Sequence, residues 1–103
     1  MIIPLPHVLL FSLALFGIGA YGVLTRRNII GILISIELML NAAGINLIAF
    51  SKTTALALET GQIFAVFVIA IAAMTATVGL AIVLALYRAR KTVFADEVNL
   101  LKW

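Results

Sequence analysis

The sequence predicts an all-α membrane protein of three transmembrane helices, with the N-terminus outside and the C-terminus cytoplasmic. Three observations carry that reading. Of 103 residues, 65% are hydrophobic and 11% are charged, whereas soluble domains average roughly 45–50% apolar and about 25% charged residues. Three long stretches nearly free of charge are separated by two short polar breaks. The basic residues gather at the first break and after the third stretch. With a mean hydropathy of +1.27, the chain has too few charges to coat a surface facing water. A span needs about 20 apolar residues, so three spans fill a single membrane domain over residues 1–103 and leave no room for a soluble catalytic domain.

The first span covers about residues 3–24 and ends at Thr25-Arg26-Arg27-Asn28. Pro4 and Pro6 fit its start, because the first turn of a helix has no backbone bond for proline to remove. A cleaved signal peptide is the competing assignment. It would carry a basic region before a shorter apolar run, and here no Lys or Arg precedes the run. His7 reads as an interfacial residue near the outer end, not as a ligand. The second span, about residues 29–50, holds one charge, Glu37, and ends at Ser51-Lys52-Thr53-Thr54. The third, about residues 61–87, holds none and ends at Arg88-Ala89-Arg90-Lys91. Continuous apolar runs exclude a β-barrel, whose strands alternate; a helix satisfies its own backbone in lipid.

Orientation follows from Lys and Arg near the span ends. Arg26 and Arg27 lie in the first connection, Arg88, Arg90, Lys91 and Lys102 follow the third span, and Lys52 alone lies in the second connection. The first connection and the tail over residues 88–103 are therefore expected on the cytoplasmic side. The end of the tail reads either as an interfacial or partner-docking segment, with Trp103 at headgroup level, or as a loosely ordered terminus.

Glu37 is the residue that needs explaining. It stands about eight residues into its span, roughly 12 Å from the end at 1.5 Å per residue. An acid at such depth costs about 2.5–3.5 kcal/mol on insertion scales, so it must face protein, a water-filled cavity or a partner charge. As simple interhelical glue it would contribute only about 0.6–2 kcal/mol, and Asn or Gln would serve with a smaller penalty. A carboxyl in such a place can hold a proton and give it up, which is what a relay requires. Helical spacing puts Leu33, Asn41, Gly44 and Ile48 on its face, with Asn41 placed to hydrogen-bond Glu37 or hold a water. The opposite face carries Gly31, Ser35, Ala42, Asn46 and Ala49. Small residues recur in the third span at Gly61, Ala65, Ala72, Ala76 and Gly79, bordered by Thr75, and in the first at Gly17, Gly19, Ala20 and Gly22. Such residues let membrane helices approach closely, and their number implies partner subunits.

The absence of cysteine excludes disulfides and thiolate-bound clusters, one histidine builds no metal site, and no nucleotide loop, quinone signature or nucleic-acid motif is present. The chain is expected to hold no cofactor and no catalytic residue of its own.

Thr25-Arg-Arg-Asn28, Ser35-Ile-Glu-Leu-Met-Leu-Asn-Ala-Ala43, Gly61-Gln62 and Val78-Gly-Leu-Ala-Ile82 together resemble the NuoK-type subunit K family of bacterial NADH:quinone oxidoreductase, respiratory complex I. The resemblance covers essentially the whole chain. It implies a three-helix subunit in the membrane arm of a redox-driven proton pump, packed against an antiporter-like subunit and other small helical subunits. It further implies that flavin and iron–sulfur clusters lie on partner subunits. In that family the acid matching Glu37 belongs to a chain of buried acids and water that carries protons. The pair matching Arg26 and Arg27 is tied to coupled activity, although positive-inside topology accounts for both equally well. The family usually carries a second acid thirteen residues after the Gln of the Gly-Gln pair; here that position is Thr75. A threonine orients a water but stores no proton, and Glu59 lies about 24 Å away along the helix. A small subunit of a cation/proton antiporter or membrane hydrogenase is the alternative, since relatives of that kind often lack acids here; a purely structural assembly subunit is the third. The expected location is the bacterial cytoplasmic membrane, or the thylakoid membrane in a photosynthetic relative, which the Asn99-Leu-Leu-Lys-Trp103 ending resembles.

Overall fold

A computed structural model describes residues 3–53, 58–91 and 93–97. Three helices span them: α1 (Leu5–Thr25), α2 (Ile29–Thr53) and α3 (Leu58–Arg90), followed by one 3₁₀ turn at Ala95–Glu97. All three are long and apolar enough to cross a bilayer. The observed bounds extend the expected spans by a turn at several ends. The largest extension is in α3, whose 33 residues give a rod of about 50 Å, well beyond a hydrocarbon layer of about 30 Å. Arg88 and Arg90 close its last turn, where cations complement the helix dipole.

The helix ends follow from local chemistry. Pro4 precedes α1, and its carbonyl accepts from His7 N–H at 3.1 Å. At the far end Arg26 is extended and its N–H closes on Gly22 O at 3.0 Å. Asn28 opens α2: its Oδ1 accepts from Ile30 N–H at 2.9 Å, the side-chain acceptor role that asparagine plays at helix starts. Lys91 ends α3 in the left-handed region at φ 58, with its N–H donating to Tyr87 O at 2.7 Å. That conformation turns the chain back after the helix.

The molecule measures 55 × 23 × 23 Å. The extensive helix contacts are α1 with α2 and α2 with α3, so α2 is the middle helix. Against α1 it presents Ser35, Met39 and Ala42. A Cβ at Gly19 would lie 2.6 Å from Met39 Cγ and 2.7 Å from Ser35 O, and one at Gly22 would strike the Ser35 side chain. Buried Ser12 donates across the same interface to Ala42 O at 3.1 Å. Against α3, α2 presents Leu33, Gly44, Leu47 and Ser51, which meet Gly79, Val68 and Gly61. Ala65 and Val83 are buried in that seam.

Both small or polar faces of α2 are therefore taken up largely within the chain. The sequence had suggested partner subunits as the reason for those faces; α1 and α3 fill much of that role. Gly17 differs from its neighbours, with nothing within 4 Å of a Cβ placed there. The tail segment 93–97 docks on this chain's own first connection, through Ile29 N–H to Val93 O and Ala95 N–H to Arg27 O, both at 2.7 Å. The first connection and the end of α3 thus share one end of the bundle, as the distribution of basic residues required. Lys102 and Trp103 lie outside the described residues.

Candidate functional site

Glu37 is half-buried on the α3-facing side of α2. The contacts of α2 with α3 run antiparallel in one constant register: Leu33 meets Gly79, Gly44 meets Val68, and Ser51 meets Gly61. At equal rise per residue, that register sets Glu37 at the height of Thr75. The side of α3 turned toward α2 at this height belongs to Ala72 and Ala76, both half-buried, while Thr75 is exposed on the flank. Small side chains on α3 leave room for a carboxyl on α2.

Within that seam Glu37 Oε1 is buried and has no hydrogen-bond partner among the described residues. No ion pair reaches it there either; the one ion pair among them joins Arg27 to Asp96. A sealed oxygen without a donor is costly to retain for structure alone. The bond expected from Asn41 is not made to Oε1. Asn41 is exposed, because four helical steps carry it past the seam and onto an outer flank. The structure therefore brings Glu37 and Thr75 to one level, with Asn41 one turn along α2. It keeps Arg26 and Arg27 apart from them, ahead of α2, whose first residue, Ile29, is itself roughly 12 Å along the axis from Glu37.

The two arginines also part company. Arg27 donates from Nε to Asp96 Oδ2 at 3.0 Å and Oδ1 at 3.2 Å, and its guanidinium lies 4.6 Å over the Phe94 ring. Arg26 makes no ion pair among the described residues, and its aliphatic stem rests near Gly31.

One further polar group of α2 stands out. Asn46 Oδ1 is the second buried atom without a partner. It borders an open cleft of about 490 Å³ between α2 and α3, with Ser51, Thr60 and Gly61 nearby. The sequence places Asn46 on the face of α2 opposite Glu37; its position between the two seams depends on how the three helices are arranged.

Comparison with known proteins decides what kind of chain this is. Residues 7–103 match the family model of NADH-ubiquinone/plastoquinone oxidoreductase chain 4L. The chain belongs to this family. Relatives in the chain 4L family align over nearly the full length of both partners. NADH-quinone oxidoreductase subunit K 2 of Solibacter usitatus is 61% identical over 94% of this chain and 93% of its own. NAD(P)H-quinone oxidoreductase subunit 4L of a Nostoc species is 56% identical over 96% and 98%. NADH-quinone oxidoreductase subunit K of a Geobacillus species is 56% identical over 97% and 96%. Membership in the chain 4L family agrees with the resemblance read from the Ser35–Ala43 segment and with three spanning helices.

Proposed function

We propose that this chain is a membrane-arm subunit of a redox-driven proton pump of the NADH/quinone oxidoreductase type, in which Glu37 is a carboxyl on the proton-transfer path. The observation that carries the reading is the buried, unpartnered Oε1 of Glu37 in the α2–α3 seam, on a chain whose family is named for such an oxidoreductase. A carboxyl with a free oxygen in a seam of small side chains accepts a proton from water or from a neighbouring acid and returns it when its surroundings change.

Thr75, level with Glu37 and facing outward, orients a water or a partner's group and stores no proton. The second acid of the path then belongs to a neighbouring subunit. Asn41, on the outer flank one turn away, serves the same boundary by holding water. Arg26 and Arg27 form the coupling loop on the cytoplasmic side. The chain performs no catalysis alone; flavin and iron–sulfur clusters belong to partner subunits. Its neighbours are an antiporter-like subunit and other small helical subunits of the complex. Its membrane is the bacterial cytoplasmic membrane, or the thylakoid membrane in a photosynthetic organism.

The test is Glu37→Gln in the assembled complex. The expected result is normal assembly, loss of proton pumping and slowed coupled quinone reduction. An assembled variant that pumps normally overturns the reading.

A further inference from the structure

The end of the described chain forms a clasp. Lys91 in its left-handed conformation turns the chain back from α3. Ile29 N–H to Val93 O and Ala95 N–H to Arg27 O then flank a single antiparallel bridge between Asn28 and Phe94. Around that bridge Arg27 reaches both carboxylate oxygens of Asp96 and lies over the Phe94 ring. Segments that are far apart in sequence converge on one arginine. Because α3 makes its extensive helix contacts with α2 alone, this clasp is the strap that ties the end of α3 to the α1–α2 connection.

We infer that Asp96 is a positioning residue for this connection: with Phe94 it holds Arg27 in place, and the contribution of Arg27 to coupled activity runs through that hold. The activity half of this inference rests on the proposed proton-pump reading; the clasp stands on the geometry alone. Arg26 is exposed and stands outside this cluster. The Arg27 and Asp96 side chains are 58% and 59% exposed, so their attraction is modest and salt-sensitive.

The test uses the assembled complex. The chain has no cysteine of its own, and the Asn28–Phe94 pair is of the non-hydrogen-bonded kind, with Cα atoms about 4.5 Å apart, within disulfide range. Asn28→Cys with Phe94→Cys is expected to cross-link on mild oxidation, read as loss of thiol labelling and as a linked peptide in mass spectrometry. Adding Asp96→Asn slows the cross-link by about two- to fivefold, and the exchanged pair Arg27→Asp with Asp96→Arg restores it. With Asn28 and Phe94 intact, Asp96→Asn lowers coupled quinone reduction and the exchanged pair recovers it. Absence of the cross-link overturns the clasp. Loss of coupled activity in Arg27→Ala with none in Asp96→Asn, or an exchanged pair that restores cross-linking but not activity, overturns the positioning role. Normal pumping by Glu37→Gln would remove the proton-path reading and leave the cross-linking result untouched.

Discussion

A methyl group on Gly19 would meet Met39 Cγ at 2.6 Å and the Ser35 carbonyl oxygen at 2.7 Å. Backbone cannot step aside as a side chain can, so Gly19→Ala is expected to push α1 from α2 at a cost of about 1–3 kcal/mol. Gly17→Ala, where the same carbon meets nothing within 4 Å, is expected to be silent. Removing the Ser12 hydroxyl is milder: its bond to Ala42 O is of the interhelical kind worth about 0.6 kcal/mol in membranes. Thermal unfolding of the purified complex carrying each variant ranks them Gly19, Ser12, Gly17 in order of damage. Equal damage at Gly17 and Gly19 would contradict the packing described. The sequence marked all the α1 glycines alike as close-packing positions. Which of them bury depended on the rotation of α1 about its axis, and no single-residue property reports that.

The stripe of small residues on α3 was legible as a stripe, and the structure turns it toward α2. Ala65 is 4% exposed and Ile69, one turn on, is 64% exposed. Ala65→Leu is therefore expected to force the α2–α3 seam open, at a cost of about 1–3 kcal/mol, and to lower the amount of assembled complex. Ile69→Leu changes no packed contact within the chain and should leave assembly alone. Native gel analysis of membranes from the two variants checks this, and an intact Ala65→Leu complex would refute it. The partner of the stripe was not legible, since small residues invite any helix. The antiparallel register settles it, and the same register sets Glu37 level with Thr75. Asn41 shows the limit of spacing arguments: four residues on is the same face in outline, yet that residue lies outside the seam.

At the scale of the whole molecule, the bundle has two chemically different ends. Arg26, Arg27, Arg88, Arg90 and Lys91 gather at one end and Lys52 at the other, as the three helices and the 93–97 contact require. From this asymmetry the positive-inside bias predicts the orientation. In sealed membranes, a single cysteine replacing Arg90 is expected to react with an impermeant maleimide only from the cytoplasmic side, and one replacing Lys52 only from the opposite side. Labelling of each from the opposite side would reverse the topology, and labelling of both from one side would mean that α3 does not cross the membrane. The outer surfaces of α1 and α3 carry large apolar side chains, among them Phe11, Phe16, Phe64 and Phe67. These surfaces suit lipid or neighbouring subunits and are poorly suited to water.

The amino-acid order alone determined how many helices cross the membrane, where they run and which acid lies at depth. Those features answer to a local condition, because hydrocarbon offers backbone polar groups no partner and each segment must satisfy itself. Tertiary structure decided the rest: that α2 is the middle helix, that Glu37 turns toward α3, and that Arg27 belongs with Asp96 and Phe94. Such contacts join residues distant along the chain, and their geometry is fixed by how the helices dock, which no local pattern encodes.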